Sequence, residues 1–575
     1  MKRWTHAGPT IFDRRTLMVY SARAAGLLAA GAILPRGLGV SHALEDFPST
    51  APVATRSGRL RGKLVDGVNA FLGVPYGAPT GGARRFLAPL REAAWTGVRD
   101  AFDWGPYAPQ SGRARGAKQL EFWVPLRPAS TMGESEDCLY LNVWTRGLGD
   151  GGKRPVMVWL HGGGYDQGSG GSAGYSGEDL ARDHDVVGVS INHRLNVLGY
   201  LYLGEILGGE LAESANPGQQ DIVAALEWVR DNIETFGGDP GRVMIYGQSG
   251  GAGKVVNAMG MPRAKGLFGA AAVQSGGARG GDKDAATESA ARLLDVFGLS
   301  KSTARDLQKV PLDQLMKVAA GANNDAPLPE GARPGAAAGS ADALAFRWGP
   351  VVDGHVIPED PNASPLSKDV SVIVGATRTE RTIYEVDGTG YGRLSEEELL
   401  ANVTQLVGAD HAARVIADYR REKPGASPYA LDCYIAADVR APGALAAARN
   451  ARNQAPTWVY RWDWETPVMD LLAPHTMEIP FVMSHLDDCT SMTGPVTEAM
   501  RALEAQASRA WVALAAAGNP NHSGLPHWPA YTDAEKAVML FDSPCRVKED
   551  PGAELRTALL PGAASRSRGP FGGPI

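Results

Sequence analysis

Val243-Met244-Ile245-Tyr246-Gly247-Gln248-Ser249-Gly250-Gly251, with Ala252–Met259 after it, carries the clearest local pattern in the chain. Four apolar residues of strand character run into a serine flanked by glycines, and a small-residue segment of helical character follows. G-x-S-x-G set between a strand and a helix is the signature of a nucleophile elbow. The glycines let the backbone take a sharp, strained turn that leaves the Ser249 hydroxyl exposed. The helix N-terminus behind the serine favours developing negative charge. The pentapeptide alone also suits a plain turn of small residues; its flanks argue for the elbow.

Working outward, Val156–Leu160 and Val186–Ile191 are short apolar runs of strand character. Asp221 to Phe236 carries Ile222, Ala225, Leu226, Val229 and Ile233 at helical spacing, and Gly237-Gly238-Asp239-Pro240 stops it. Ala270–Val273 is a further strand. Strands alternating with helices predict an α/β fold with a mostly parallel, twisted sheet covered by helices. His161-Gly162-Gly163-Gly164 follows the first of these strands. Glycines there let backbone N–H groups approach a reacting centre, and a phosphate loop is disfavoured because no G-K-[ST] follows. The loop resembles the H-G-G-G loop of esterases and lipases. We assign the oxyanion hole to the N–H groups of Gly163, Gly164 and Gly250.

Composition narrows the class. The 575 residues are 44% hydrophobic and 21% charged, a globular balance. Gly and Pro are frequent (71 and 39), which fits many turns and long ordered loops. Net charge is −6 with no basic stripe, which argues against a nucleic-acid partner. Four cysteines exclude a disulfide-dense scaffold, and their spacing suggests neither a bridge nor a zinc site.

The first 43 residues read as an export signal rather than as fold. Arg14-Arg15-Thr16-Leu17-Met18 is a twin-arginine start, Ala24 to Leu34 is an uncharged run, and Ser41-His42-Ala43 supplies a small-residue cleavage site. The run is too short to cross a bilayer, which takes about 20 residues. Residues 1–43 hold six basic side chains and one acidic, so the chain from 44 onward carries −11. This part has no other segment long and apolar enough to be a membrane span. The expected localisation is periplasmic or secreted, from a bacterium. The stretch Ala319–Ala343 is expected to be a long exposed loop, and the tail from Pro561 to be frayed.

Several longer motifs then resemble one family. They are Phe71-Leu72-Gly73-Val74-Pro75-Tyr76, Arg85-Phe86, Ser135-Glu136-Asp137-Cys138-Leu139-Tyr140-Leu141-Asn142-Val143-Trp144, Asn232-Ile233, Phe236-Gly237-Gly238-Asp239-Pro240 and Gln274-Ser275-Gly276. Pro350-Val351-Val352-Asp353-Gly354, Gly518-Asn519-Pro520-Asn521 and Trp528-Pro529-Ala530-Tyr531 follow in order. Together they resemble the type-B carboxylesterases, an α/β-hydrolase family related to cholinesterases and para-nitrobenzyl esterases. The resemblance covers nearly all of the chain after residue 43.

It implies a single α/β-hydrolase domain over 44–575, with a helical cap roughly over 280–480. It implies a serine hydrolase that cleaves small-molecule carboxylic esters through an acyl-enzyme, with no metal and no organic cofactor. It also locates the rest of a triad. The family's acid lies five residues after a glycine that ends a strand; here Gly375 ends Val372–Gly375 and Glu380 follows. The family's histidine lies in a pattern matched by His475-Thr476-Met477-Glu478-Ile479-Pro480-Phe481-Val482. Ser249, Glu380 and His475 stand in the chain order of α/β-hydrolases. Glu385 rivals Glu380, while His485 and His527 fall outside the pattern. Arg85 and Glu136 are implied to form a structural salt bridge. Ser275 is either a hydrogen-bonder near the triad or a plain turn residue.

There are departures. The usual G-E-S-A-G is G-Q-S-G-G here, so Gln248 removes a carboxylate beside the nucleophile. No cysteine precedes Cys138, and Ala108 stands where its disulfide partner would be. His193 replaces the tyrosine of the family's N-Y-R segment, without explanation from the sequence. Pro128 stands ten residues before Cys138, where a choline-stacking tryptophan would be, which argues against a cholinesterase. Two other functions stay open: an amidase or carbamate hydrolase with the same triad, and a non-catalytic binding protein on an esterase scaffold. The oligomeric state stays open as well.

Overall fold

The computed structural model describes residues 48–110, 115–278, 280–320, 348–361, 369–439, 455–532, 534–553 and 555. The export signal, most of the 319–343 stretch and the tail from 561 lie outside the described residues. Ala319 itself closes the helix Leu312–Ala319.

Two sheets form. A small one joins β1 (Val53–Ala54), β2 (Arg59–Arg61) and β5 (Val98–Asp100). The large one has eleven strands in the order β14-β13-β12-β11-β10-β9-β7-β8-β6-β4-β3. Its members are β3 (Lys63–Val65), β4 (Val68–Pro75), β6 (Tyr140–Thr145), β7 (Arg154–Leu160), β8 (Val187–Ile191), β9 (Gly238–Gln248), β10 (Ala270–Gln274), β11 (Ser371–Thr377), β12 (Thr457–Trp462), β13 (Ala537–Phe541) and β14 (Arg546–Glu549). The seven strands from β8 through β13 run parallel, and the strands at both edges are antiparallel.

The central strands read as apolar runs because helices cover both faces. The two-residue period of a strand sends alternate side chains to opposite faces. On β7, Val156, Val158 and Leu160 enter one core with Ile222, Leu226 and Val229 of the helix Pro217–Asn232. Met157 and Trp159 enter the other, with Trp511 and Leu514 of the helix Glu498–Ala517. The first of these helices starts a turn before the expected Asp221. Pro217 lacks only an N–H that the first turn leaves unpaired in any case. The helix tightens into a 3-10 turn at Ile233–Phe236, and Gly237 at φ +71° ends it. The strand expected at Val243–Tyr246 extends over Gly238–Gln248, and the helix after Ser249 spans Gly250–Gly260.

Beyond Glu380, the helices Glu396–Val407, Ala409–Glu422 and Pro428–Val439 pack around Leu399, Val403, Val415, Leu431 and Ile435. A capping box between Ser395 and Glu398 starts the first of them. Arg85 and Glu136 pair through two hydrogen bonds of 2.7 Å, as the resemblance implied. All four cysteines are buried and free. No helix of the described residues is long and apolar enough to cross a membrane.

Candidate active site

The site collects at the C-terminal ends of the parallel strands, where open α/β sheets present their reactive loops. β9 lies between β7 and β10 and delivers Ser249 at φ +58°, ψ −122°, a strained conformation for a residue with a Cβ. The Ser249 N–H donates to Gln274 O (2.8 Å) at the end of β10, which fixes the turn. The turn fits only because small residues follow: a Cβ on Gly251 would lie 2.0 Å from Leu160 O.

β7 delivers the glycine loop. Gly163 and Gly164 sit at φ +87° and +66°, which glycine adopts without steric cost. Their N–H groups have no acceptor among the described residues. The backbone of Gly164 lies against Gly250, where a Cβ would come within 2.2 Å of Gly164 O. Gly250 is the first residue of its helix, so its N–H has no intrahelical partner. The three expected oxyanion donors are therefore brought together.

Glu380 follows β11 and accepts a hydrogen bond from His475 Nδ1. Its other oxygen accepts from the Thr377 N–H at 2.8 Å. Thr379 ties the two loops: its N–H donates to Ala473 O, and its Oγ1 accepts from the Ala473 N–H, both at 2.9 Å. Burial alone would raise the Glu380 carboxyl. The charge of His475, with hydrogen bonds from His475 and Thr377, overcomes it and holds the group below its ordinary range. The rival Glu385 instead accepts from Tyr429 Oη (2.6 Å), and His485 pairs with Asp179 at 2.5 Å. Among the described residues one trio has metal-ligand spacing, Asp179, His485 and Asp488, and the Arg182 guanidinium already pairs with Asp179.

Ser275 is a hydrogen-bonder rather than a plain turn residue. Its Oγ donates to Glu478 Oε1 at 3.2 Å. Glu478 is fully buried. Burial and then the nearby Glu380 charge push its carboxyl up to about 7. Gln248 is also buried, and its Nε2 lies 3.1 Å from His475 Nε2.

Sequence reasoning missed Lys254, which is fully buried. Its Nζ donates to His161 O at 2.9 Å, at the root of the glycine loop. Burial pulls its ammonium down to about 7, and Asp166 offsets that only in part. The available signal was a lysine inside the apolar segment Ala252–Met259. His193 also finds its place: its ring stacks on His161 with centroids 4.7 Å apart and planes 7° apart. Burial first, then the Lys254 charge, keep both imidazoles well below their ordinary range. An aromatic row also went unseen. Tyr384 packs on the His475 ring (5.5 Å), Trp123 packs on Tyr384 (5.9 Å), and Trp123 Nε1 donates to Thr476 Oγ1 at 2.9 Å.

With this geometry in hand, comparison with known proteins places the chain. The profile of the carboxylesterase family matches residues 49–556. The chain belongs to the carboxylesterase family. The para-nitrobenzyl esterase of Bacillus subtilis is 31% identical over 515 residues, covering 88% of this chain and 98% of the relative. The phenmedipham hydrolase of Pseudarthrobacter oxydans is 34% identical over 522 residues, covering 89% and 97%. Among solved structures, a Geobacillus stearothermophilus carboxylesterase aligns with TM-score 0.70 at 34% identity, covering 88% of this chain and all of that one. A Clostridium hathewayi esterase described as hydrolysing aliphatic aromatic polyesters aligns with TM-score 0.72 at 31% identity, covering 89% and 98%. The fold is the α/β-hydrolase fold, and the protein is a carboxylic ester hydrolase. That sets aside the non-catalytic scaffold reading.

Proposed function

We propose that this carboxylesterase works through an acyl-enzyme formed on Ser249, with His475 as general base and acid and Glu380 as its orienting partner. The observation that carries the reading is the convergence of three elements. They are Ser249 at the tip of β9, a His475–Glu380 pair whose imidazole lies against Gln248, the residue before that serine, and a glycine loop packed against Gly250, the residue after it.

The steps follow from the atoms. With Nδ1–H given to Glu380, His475 presents Nε2 as the base that takes the Ser249 proton. Ser249 Oγ attacks the ester carbonyl, and the oxyanion takes hydrogen bonds from the N–H groups of Gly163, Gly164 and Gly250. The imidazolium then gives its proton to the leaving alkoxide. Water, activated by the same histidine, releases the acid. Glu380 is held ionised and stabilises the imidazolium throughout. The reading asks for no metal and no organic cofactor, and its substrates are small-molecule esters.

We further propose that residues 1–43 export the enzyme to the periplasm or beyond, on the motif Arg14-Arg15-Thr16-Leu17-Met18 and the small-residue site Ser41-His42-Ala43. An organophosphonate probe tests the nucleophile. A single adduct on the peptide bearing Ser249, with matching loss of turnover, is expected; labelling elsewhere would reject the assignment.

A further inference from the structure

Near the triad, the Arg115 cation has no anion among the described residues. Arg115 is half-buried, and its guanidinium carbon lies over the Trp123 ring, 4.6 Å from the centroid. Among the described residues it makes no hydrogen bond and no ion pair. The carboxylate of Asp387 lies against the neighbouring Gly116, but both of its oxygens are engaged by the backbone N–H groups of Lys118 (2.9 Å) and Gln119 (3.2 Å). The polar groups that act on Arg115 are the phenols of Tyr384 and Tyr175 and the like charge of Arg127. A half-buried guanidinium with no anion near it is poorly solvated, and a planar carboxylate is the partner its fork of donors fits best.

The row that leads from Arg115 to the chemistry is short. Trp123, under the guanidinium, bonds Thr476 and touches Tyr384, and Tyr384 lies on the His475 ring. His475 hands its proton to the leaving alkoxide, so the leaving group must lie on the histidine's side of the site. Arg115 stands at the far end of the row of rings that begins at His475. Its own cation already covers a face of Trp123, so a cationic alcohol would meet like charge there.

We propose that Arg115 receives a carboxylate carried by the alcohol part of the substrate, so that the enzyme favours acyl esters of hydroxy acids. The proposal rests on the triad reading above and adds the substrate class. It includes no new covalent step: the released alcohol is a hydroxy carboxylate, held by Arg115 until it leaves.

The test uses matched pairs with the processed enzyme. 4-Acetoxybenzoate and its methyl ester differ by one charge on the leaving group. Mono(4-nitrophenyl) succinate and its methyl ester differ by one charge on the acyl side. Replacing Arg115→Met should lower the acid-to-methyl-ester ratio of kcat/KM for the acetoxybenzoate pair by about ten- to a hundredfold, the range for a hydrogen-bonded charge. Arg115→Lys should recover part of it, and the succinate ratio should move far less. Equal losses on both acetoxybenzoates would make Arg115 a merely structural residue and overturn the proposal. So would a succinate ratio that falls as far. Ser249→Ala, run beside these variants, should abolish all four turnovers. If it did not, the triad would fall irrespective of what the Arg115 ratios show.

Discussion

Gln248 Nε2 lies over the face of the His475 ring, 3.1 Å from its Nε2 and 3.3 Å from its Nδ1. The amide carries no net charge that would favour imidazolium, and a general base must be neutral to act. A carboxylate at residue 248 would instead favour imidazolium, because opposite charges attract at this range.

Gln248→Glu should therefore move the acid limb of kcat/KM to higher pH, by roughly one unit once solvent has weakened the interaction. A full pH–rate profile of both enzymes reads it. A limb that stays put or moves down would mean that the new side chain is protonated or turned away, and the field argument would fail.

Lys254 links stability to the glycine loop. Its folded-state pKa is depressed to about 7 from an ordinary 10.5. The ammonium's burial cost is therefore present below about pH 7 and disappears as pH rises toward 10.5. The melting temperature of Lys254→Met minus that of the wild type should fall by roughly 2–4 °C between pH 6 and pH 10. A difference that stays flat with pH would show that Lys254 is not buried as a cation. The variant should also lose kcat more than KM, since the His161 carbonyl loses its brace beside the oxyanion donors.

Glu478 has the opposite sign. Burial and the Glu380 charge raise its carboxyl to about 7 from 4.5. The wild type loses stability as pH climbs through that window, because ionisation is disfavoured in the fold. Glu478→Gln should thus gain on the wild type in thermal melts between pH 4.5 and pH 7, by roughly 1–3 °C. If the gap narrowed over that range, the carboxyl would be ionised throughout.

Export has a direct readout. Replacing Arg14 and Arg15 together by Lys should leave unprocessed enzyme in the cytoplasm. Fractionation that finds the doubly substituted protein in the periplasm at wild-type level would point to a route other than the twin-arginine one.

What the sequence made legible was local. The elbow needs its strand, serine and glycines within a few residues, and the glycine loop directly follows a strand, so both could be read from one stretch each. Glu380 and His475 needed the family pattern, because 95 residues separate them and only the fold joins them. The helix start at Pro217 was missed because the apolar periodicity begins only at Ile222. Lys254 was hidden by its helix, where a lone lysine among apolar residues reads as an exposed side chain until the packing shows otherwise. The row Arg115, Trp123, Tyr384 and His475 is assembled from distant segments, and the Trp123–Thr476 bond that anchors it joins residues 353 apart. Its members carry no spacing signal, and the aromatic contacts that join them exist only in the folded chain.

The central claim is that Ser249 is the nucleophile served by His475. Its most direct measurement is the steady-state kcat of Ser249→Ala on an activated aryl ester, with circular dichroism and thermal melting alongside to show that the variant is folded. The account predicts a loss of about 10⁴- to 10⁶-fold in kcat with the fold intact. A folded variant that keeps more than about a tenth of the wild-type rate would contradict the account, because removal of a triad nucleophile cannot leave so much catalysis behind.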